Sequence, residues 1–412
     1  MSVSASSARR VARVLALASG VLAFATAATA AAPKAYVGNF KDSTVSVVDT
    51  ASGVVVKTVP VAAGPHGMAV SPDGRFVWVA GEGSTSVSVI DTASDTVVRT
   101  VDVGASPHGV SMLPDGSTVL VGVYGADRIA FVDAASGGIV ANVAVAKPHT
   151  IAVRPDGEVA VIASQEPGRF ALVVVDLAAR AVARRIELEQ PPRDPEFSAD
   201  GKLLYVTRAG VNALRVFDAT SDRVVADIPT GASPHLGKSF GAAVGAIVVQ
   251  GPGELLVFDP AKNAALRSIA VGRQPHWLAS DGRTAWVTNE GSNDLSVVDL
   301  ASGDTKSIAV GNAPRKVVVQ PAAAGASGGT AGAVSIANFA FAPAALVVAP
   351  GTTVTWRNDD AAPHAIAFAD GAPPSDLLLP GQSFSRSFAS AGSFAYACSV
   401  HPYMRGTVTV AP

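Results

Sequence analysis

The stretch Ala63-Gly-Pro-His66-Gly-Met-Ala-Val-Ser-Pro-Asp73-Gly-Arg-Phe-Val-Trp78-Val-Ala80 returns 42 residues later as Ala105-Ser-Pro-His108-Gly-Val-Ser-Met-Leu-Pro-Asp115-Gly-Ser-Thr-Val-Leu120-Val-Gly122. The unit then recurs along most of the chain. Pro65, Pro107, Pro148, Pro192, Pro234, Pro275 and Pro314 mark it at intervals of 42, 41, 44, 42, 41 and 39 residues. Each unit divides into four short runs. In the first complete one, an apolar run after Pro65-His66 stops at Pro72-Asp73-Gly74, and a second covers Arg75 to Ala80. A third, Ser86 to Asp91, alternates with period two, and a fourth covers Thr96 to Val103. Alternation with period two between Gly, Pro and Asp punctuation is the pattern of strands and tight turns. The composition agrees, with 39 Gly, 27 Pro, 49% hydrophobic and only 16% charged residues. Long surface helices would need more Glu and Lys.

Four-stranded units at this period predict the blades of a β-propeller. The first piece, Ala35 to Val61, has three strands, beginning Tyr36-Val-Gly-Asn39. Pro314-Arg-Lys-Val-Val-Val-Gln-Pro321 supplies the missing innermost one. Pairing the two chain ends in one blade removes an open edge and gives seven blades.

The N-terminus reads as a leader outside the fold. Arg9, Arg10 and Arg13 precede the short apolar run Val14 to Phe24 and the small-residue site Ala28-Thr-Ala30. The run is too short to span a bilayer comfortably, so export to a periplasmic or secreted location is predicted, with no membrane span after cleavage. Sec and twin-arginine routes both stay open. Loss of the three arginines moves the formal charge from −2 to −5. A mildly acidic chain does not suit nucleic acid. The chain has a single cysteine, Cys398, so no disulfide forms within it, and in an oxidising compartment a lone thiol points to a metal ligand.

Ala285-Trp286-Val-Thr-Asn289, Asn293-Asp-Leu-Ser-Val-Val-Asp299 and Ser307-Ile-Ala-Val-Gly311 resemble the YVTN-type propeller repeat of secreted bacterial proteins. That resemblance covers about 290 residues and implies architecture rather than chemistry. Within the repeat, His66, His108, His149, His235 and His276 share one position, held by Arg193 and Arg315 in the other two units. At the start of the innermost strands, all seven are expected at one mouth of the channel. Two readings stand. Each histidine contacts its neighbour's backbone, or the ring holds a second metal or an anion on the propeller axis, since imidazoles suit metals and guanidinium suits oxyanions. Nitrous oxide reductases are similar in layout, a histidine-lined propeller followed by a copper domain. Their dinuclear copper site in that domain needs two cysteines, and here there is one.

Ala322 to Ala333 is an uncharged linker of small residues. From Val334 the pattern becomes that of a small sandwich: Val334 to Phe341, Ala345 to Val348, Thr353 to Asn358 and Ser393 to Cys398. This segment resembles the cupredoxins, the amicyanin-like group most closely. The resemblance rests on Phe341-Ala-Pro343, Gly351 to Trp356, Asn358-x-Asp360-x-x-x-His364 and the short loop Cys398-x-x-His401-x-x-Met404. It implies one type 1 copper with His364, Cys398, His401 and Met404 as ligands. Thiolate, two imidazoles and a weak axial thioether are the set that tunes copper for one-electron transfer. Asn358 is expected to hydrogen-bond near the Cys398 sulfur.

The predicted fold class is all-β: a leader over 1–30, a seven-bladed β-propeller over 31–321, a linker over 322–333 and a cupredoxin Greek-key β-sandwich over 334–412. The expected function is exported electron transfer, the propeller acting as scaffold or partner-binding module. A redox partner protein, a cytochrome or dehydrogenase, would dock near His401. The alternatives are a copper-dependent oxidoreductase with a metal or substrate site in the propeller channel, and a non-catalytic copper-binding or surface-interaction protein. No nucleophile and base pair, phosphate loop or haem attachment motif is present.

Overall fold

A computed structural model describes residues 33–241, 244–321, 332–337, 339–360, 362–401 and 403–410. The expected leader and nearly all of the linker lie outside the described residues. Seven four-stranded antiparallel sheets account for residues 34–319. In the blade that begins with Pro65, the strands are Pro65–Val70, Phe76–Gly81, Ser86–Asp91 and Thr96–Asp102, within one residue of the sequence expectation. The fourth strand alternates exposed and less exposed positions because successive side chains point to opposite faces and only one face is covered, and Val101 is its buried anchor. The repeat's asparagines have a visible task. Asn39 ends the second strand of its blade and donates to Thr44 Oγ1 (3.0 Å) and Ser46 Oγ (2.9 Å) on the third. Asn289 donates likewise to Asp294 and Ser296.

The ring closes as the count requires. Lys34–Asn39 pairs on one edge with Thr44–Asp49 and on the other with Pro314–Val319. The Gln320 amide donates to Lys34 O (2.8 Å), and its side chain donates to Gly74 O in the next blade (2.8 Å). On the opposite face Asn312 bonds Asp42 through its amide (2.6 Å) and Nδ2 (2.9 Å).

Five blades share one turn chemistry. Asp49, Asp91, Asp133, Asp218 and Asp299 accept a bond from the amide of the serine three residues on, at 2.7–2.9 Å. Hydrogen bonds from that serine hold each carboxyl below its ordinary value of 3.8. The unfolded chain therefore binds protons first on acidification. The stability these carboxylates supply is complete above the ordinary carboxylate range and drains away as pH falls through their lowered values. The urea midpoint of the propeller is expected to hold steady from about pH 7 to 5 and to drop between about pH 4 and 2. Circular dichroism checks this, and a chain with Asp49, Asp91, Asp133, Asp218 and Asp299 all changed to Asn should show a shallower acid drop.

Beyond the linker, two four-stranded sheets face each other. One orders Ala340–Ala342, Ala333–Ala337, Thr352–Asn358 and Ser383–Phe388. The other orders Ala345–Val348, Arg405–Val410, Gly392–Cys398 and Ile366–Phe368. Trp356 is fully buried between them, with ring centroids of Tyr396, Phe368 and Phe384 at 5.1, 5.4 and 5.9 Å. The innermost propeller strands run from the Pro-His mouth to the Pro-Asp-Gly turns, and the chain leaves the ring at the latter end. There Pro343, Ala344 and Ala345 share a cavity of about 550 Å³ with Pro72, Asp73, Pro114 and Asp115. Phe339 closes another against Asp200, Leu203 and Tyr205.

Candidate metal centre

The short strand Ile366–Phe368 pairs with Gly392–Cys398, with Ile366 opposite Cys398. That pairing sets His364, two residues earlier, beside the thiol. The Ser399 amide bonds Ala365 O (2.9 Å), which locks the two segments together. The loop after Cys398 folds back on itself. The Cys398 amide donates to Met404 O (3.0 Å) and the Met404 amide to His401 O (2.9 Å). Cys398, His364 and Met404 are buried, whereas His401 is half-buried.

Three donor atoms converge. Cys398 Sγ lies 3.6 Å from His364 Nδ1 and 3.8 Å from His401 Nδ1, and the two Nδ1 atoms are 3.3 Å apart. A trigonal ion with bonds of about 2.0 Å to nitrogen and about 2.3 Å to sulfur would place its nitrogens about 3.5 Å apart and nitrogen about 3.7 Å from sulfur. The observed triangle fits such an ion. His364 Nε2 donates to Asp360 Oδ2 (2.9 Å), so its Nδ1 is the nitrogen that faces the thiol. Asp360 Oδ2 also accepts the Phe339 amide (2.9 Å), and the Phe339 ring meets His364 and His401 edge-on.

Burial opposes charge on Cys398, yet its thiol is held below its ordinary value. The hydrogen bond with His364 and the amides of Ala365, His401 and Val400 outweigh the burial. His364 is likewise opposed by burial, but Asp360 and Cys398 raise it to about 9. Burial, then the neighbouring His364, lower His401. The shifts of Cys398 and His401 both favour the deprotonated forms that a cation binds.

Asn358 departs from expectation. Its Nδ2 donates to Ala362 O and Leu378 O, both at 2.8 Å, and its Oδ1 accepts the Asp360 amide (2.9 Å). It pins the His364 loop rather than reaching the sulfur, because both its Nδ2 hydrogens are spent on backbone carbonyls. Asp360 is the positioning residue the sequence reading passed over, although it stands in the Asn-x-Asp-x-x-x-His run.

At the Pro-His mouth of the propeller, His66, His108, His149, His235, His276 and Arg315 line a cavity of about 360 Å³. Each innermost strand has a bulge just after its proline, at a histidine in five blades and at Arg193 and Arg315 in the other two, seen where Pro65 pairs with Gly81 but Met68 with Val79. Arg193 is the exception among the seven. Its Nη1 goes to Gln250 Oε1 (3.4 Å), and its carbonyl accepts His149 Nδ1 (3.3 Å). His108 and His276 bond the next unit's carbonyl in the same way, at 2.8 and 3.0 Å. Glu82, Tyr124 and Gln165 join the lining. They stand just after the second strand of their blades, a column that aligning the repeats would have exposed.

Comparison with known proteins places both halves. The family of YNCE-like β-propellers matches residues 1–118, and that of copper binding proteins, plastocyanin/azurin family, matches residues 330–411. Amicyanin of Paracoccus denitrificans is 38% identical over 82 residues, 19% of this chain and 63% of that protein. Plastocyanin of Scenedesmus fuscus is 36% identical over 83 residues, 17% of this chain and 85% of that protein. A chain of Kuenenia stuttgartiensis hydrazine synthase shares the fold at a TM-score of 0.59 and 21% identity, covering 65% of this chain and 92% of that one. The dihydro-heme d1 dehydrogenase NirN does so at 0.53 and 20%, covering 69% and 74%. Through its C-terminal cupredoxin domain, whose donor set suits type 1 copper, the chain belongs to the plastocyanin/azurin family of copper binding proteins.

Proposed function

We propose that this is an exported one-electron carrier in which His364, Cys398, His401 and Met404 hold copper and the propeller presents that centre to a redox partner protein. The observation that carries the reading is the triangle of two Nδ1 atoms and one Sγ at 3.3–3.8 Å. Copper bound there supplies a Cu(II)/Cu(I) couple. The protein's contribution is rigidity. Asp360 aims His364, Asn358 fixes its loop, and the Cys398 to Met404 hydrogen bonds hold the other donors, so little has to move when the charge changes.

His401 is the least buried of the four and sits beside Phe339 and Tyr403 (ring centroids 5.0 and 6.0 Å). The half-exposed imidazole, with Phe339 between it and the propeller residues Asp200 and Leu203, offers an edge for brief docking of a cytochrome or dehydrogenase. Export rests on the arginine-led leader and the lone cysteine. Among the described residues no helix is long and apolar enough to cross a membrane.

Full-length chain reconstituted with Cu(II) is expected to turn intensely blue, to bleach on uptake of one electron per blue centre and to recover on reoxidation. A colourless product, or colour that does not cycle, overturns the reading.

A further inference from the structure

The propeller mouth contains chemistry that the cupredoxin centre does not use. Glu82 Oε2 is buried there without a hydrogen-bond partner. A carboxylate oxygen of Glu82 and ring nitrogens of His66 and His108 all lie within 4.8 Å of one another. His66 is only 7% exposed, its ring makes no hydrogen bond among the described residues, and it stacks on His108 with ring centroids 3.9 Å apart. A buried carboxylate oxygen without a hydrogen-bond partner is costly unless something binds it.

The tautomer follows from the bonding. His108 Nδ1 meets a carbonyl, which only accepts, so Nδ1 carries the proton and the Nε2 lone pair remains available. Burial, then the neighbouring histidines, hold His66 and His108 well below their ordinary value, so both rings are neutral at pH 7. Charge decides what they receive. Arg315 has its Nη2 3.2 Å from Glu290 Oε1 and its Nη1 3.7 Å from Glu82 Oε2. One guanidinium between two carboxylates leaves the mouth negative, and Arg193 turns away to Gln250. An oxyanion is disfavoured and a cation favoured.

We propose that His66, Glu82 and His108 bind a divalent transition-metal ion, Cu(II) or Zn(II), at the propeller mouth. Imidazole and carboxylate donors suit these ions. Three protein donors beside a cavity of about 360 Å³ leave a coordination position open to a small molecule, as in catalytic rather than structural sites. The site is separate from the type 1 centre. Histidines begin the innermost strands and the cupredoxin domain meets their far ends, and six residues of strand span about 20 Å.

Copper titration of the full chain tests this, with bound metal counted after dialysis. The wild type should hold two equivalents, one blue and one not. The double variant H66A/H108A should keep only the blue one, and Cys398→Ala only the colourless one. Glu82→Gln, which keeps the shape of the side chain, should weaken the colourless site at least about tenfold while the propeller melts at an unchanged temperature. A wild type that holds one blue equivalent, or a double variant that still holds two, overturns the propeller site and leaves the electron-carrier reading intact. A wild type that never turns blue yet loses a copper in H66A/H108A supports the propeller site and overturns that reading instead.

Discussion

A Cys398→Ser chain should stay colourless in Cu(II) and bind copper at its cupredoxin centre at least about a hundredfold more weakly than the wild type. Serine preserves the volume but supplies no thiolate, and the sulfur is one corner of the triangle completed by the two Nδ1 atoms. The strand itself should survive, because its register rests on backbone pairing with Ile366–Phe368 and Arg405–Val410. The loss therefore appears as missing linkage rather than misfolding. With free copper at a hundred times its dissociation constant, the wild-type cupredoxin domain gains about 2.7 kcal/mol. For a domain of this size that raises its melting temperature by roughly 10–20 °C. Calorimetry of the full chain with and without copper reads the difference. A blue variant, or one stabilised as much as the wild type, would remove Cys398 from the site.

Gly67→Ala is expected to be the most damaging single methyl in the propeller. A Cβ at Gly67 would stand 1.9 Å from His108 O and 2.8 Å from Val110 N, both backbone atoms of the adjacent innermost strand. No rotamer change relieves such a contact. The strands must separate at the mouth, in a closed ring with no slack to absorb the movement. A cost at or above the upper end of overpacking, about 3 kcal/mol, is expected. That is a fall of roughly 6–12 °C in melting temperature for a domain this large. Gly83→Ala serves as the control. Its nearest neighbours would be an ordinary 3.4 Å away, and a change within about 0.5 kcal/mol is expected. Equal melting of the two variants would show that the blade spacing is not set at Gly67.

The third residue of Pro-His-Gly thus has a reason that no reading of one repeat supplies, since the clash is with the next repeat. The period of about 42 residues was enough for the blades and for their closure, because strand alternation and turn chemistry are local. The convergence of Cys398, His401 and His364 was also legible, since two of them lie within four residues and the third ends the polar run Asn358 to His364. What was hidden depends on direction. Asn358 ends a strand, and nothing in its neighbours says whether its amide faces sulfur or backbone. Ile366–Phe368 has only three residues, too few to show a period, yet it is the strand that delivers His364. Glu82 follows a strand in a loop where nothing within one repeat marks it, and only the fold brings it to the histidines of the mouth.

Closing the first blade with Pro314–Val319 also gives the chain a timetable. As the polypeptide emerges from the ribosome or from an export channel, Lys34–Asn39 presents a bare strand edge. That edge is open to any passing chain until some 280 residues later its partner arrives. The copper domain lies downstream of that partner, so it reaches solvent only after the residues that seal the ring. The residues that seal the ring therefore emerge before the metal-seeking thiol at Cys398 does.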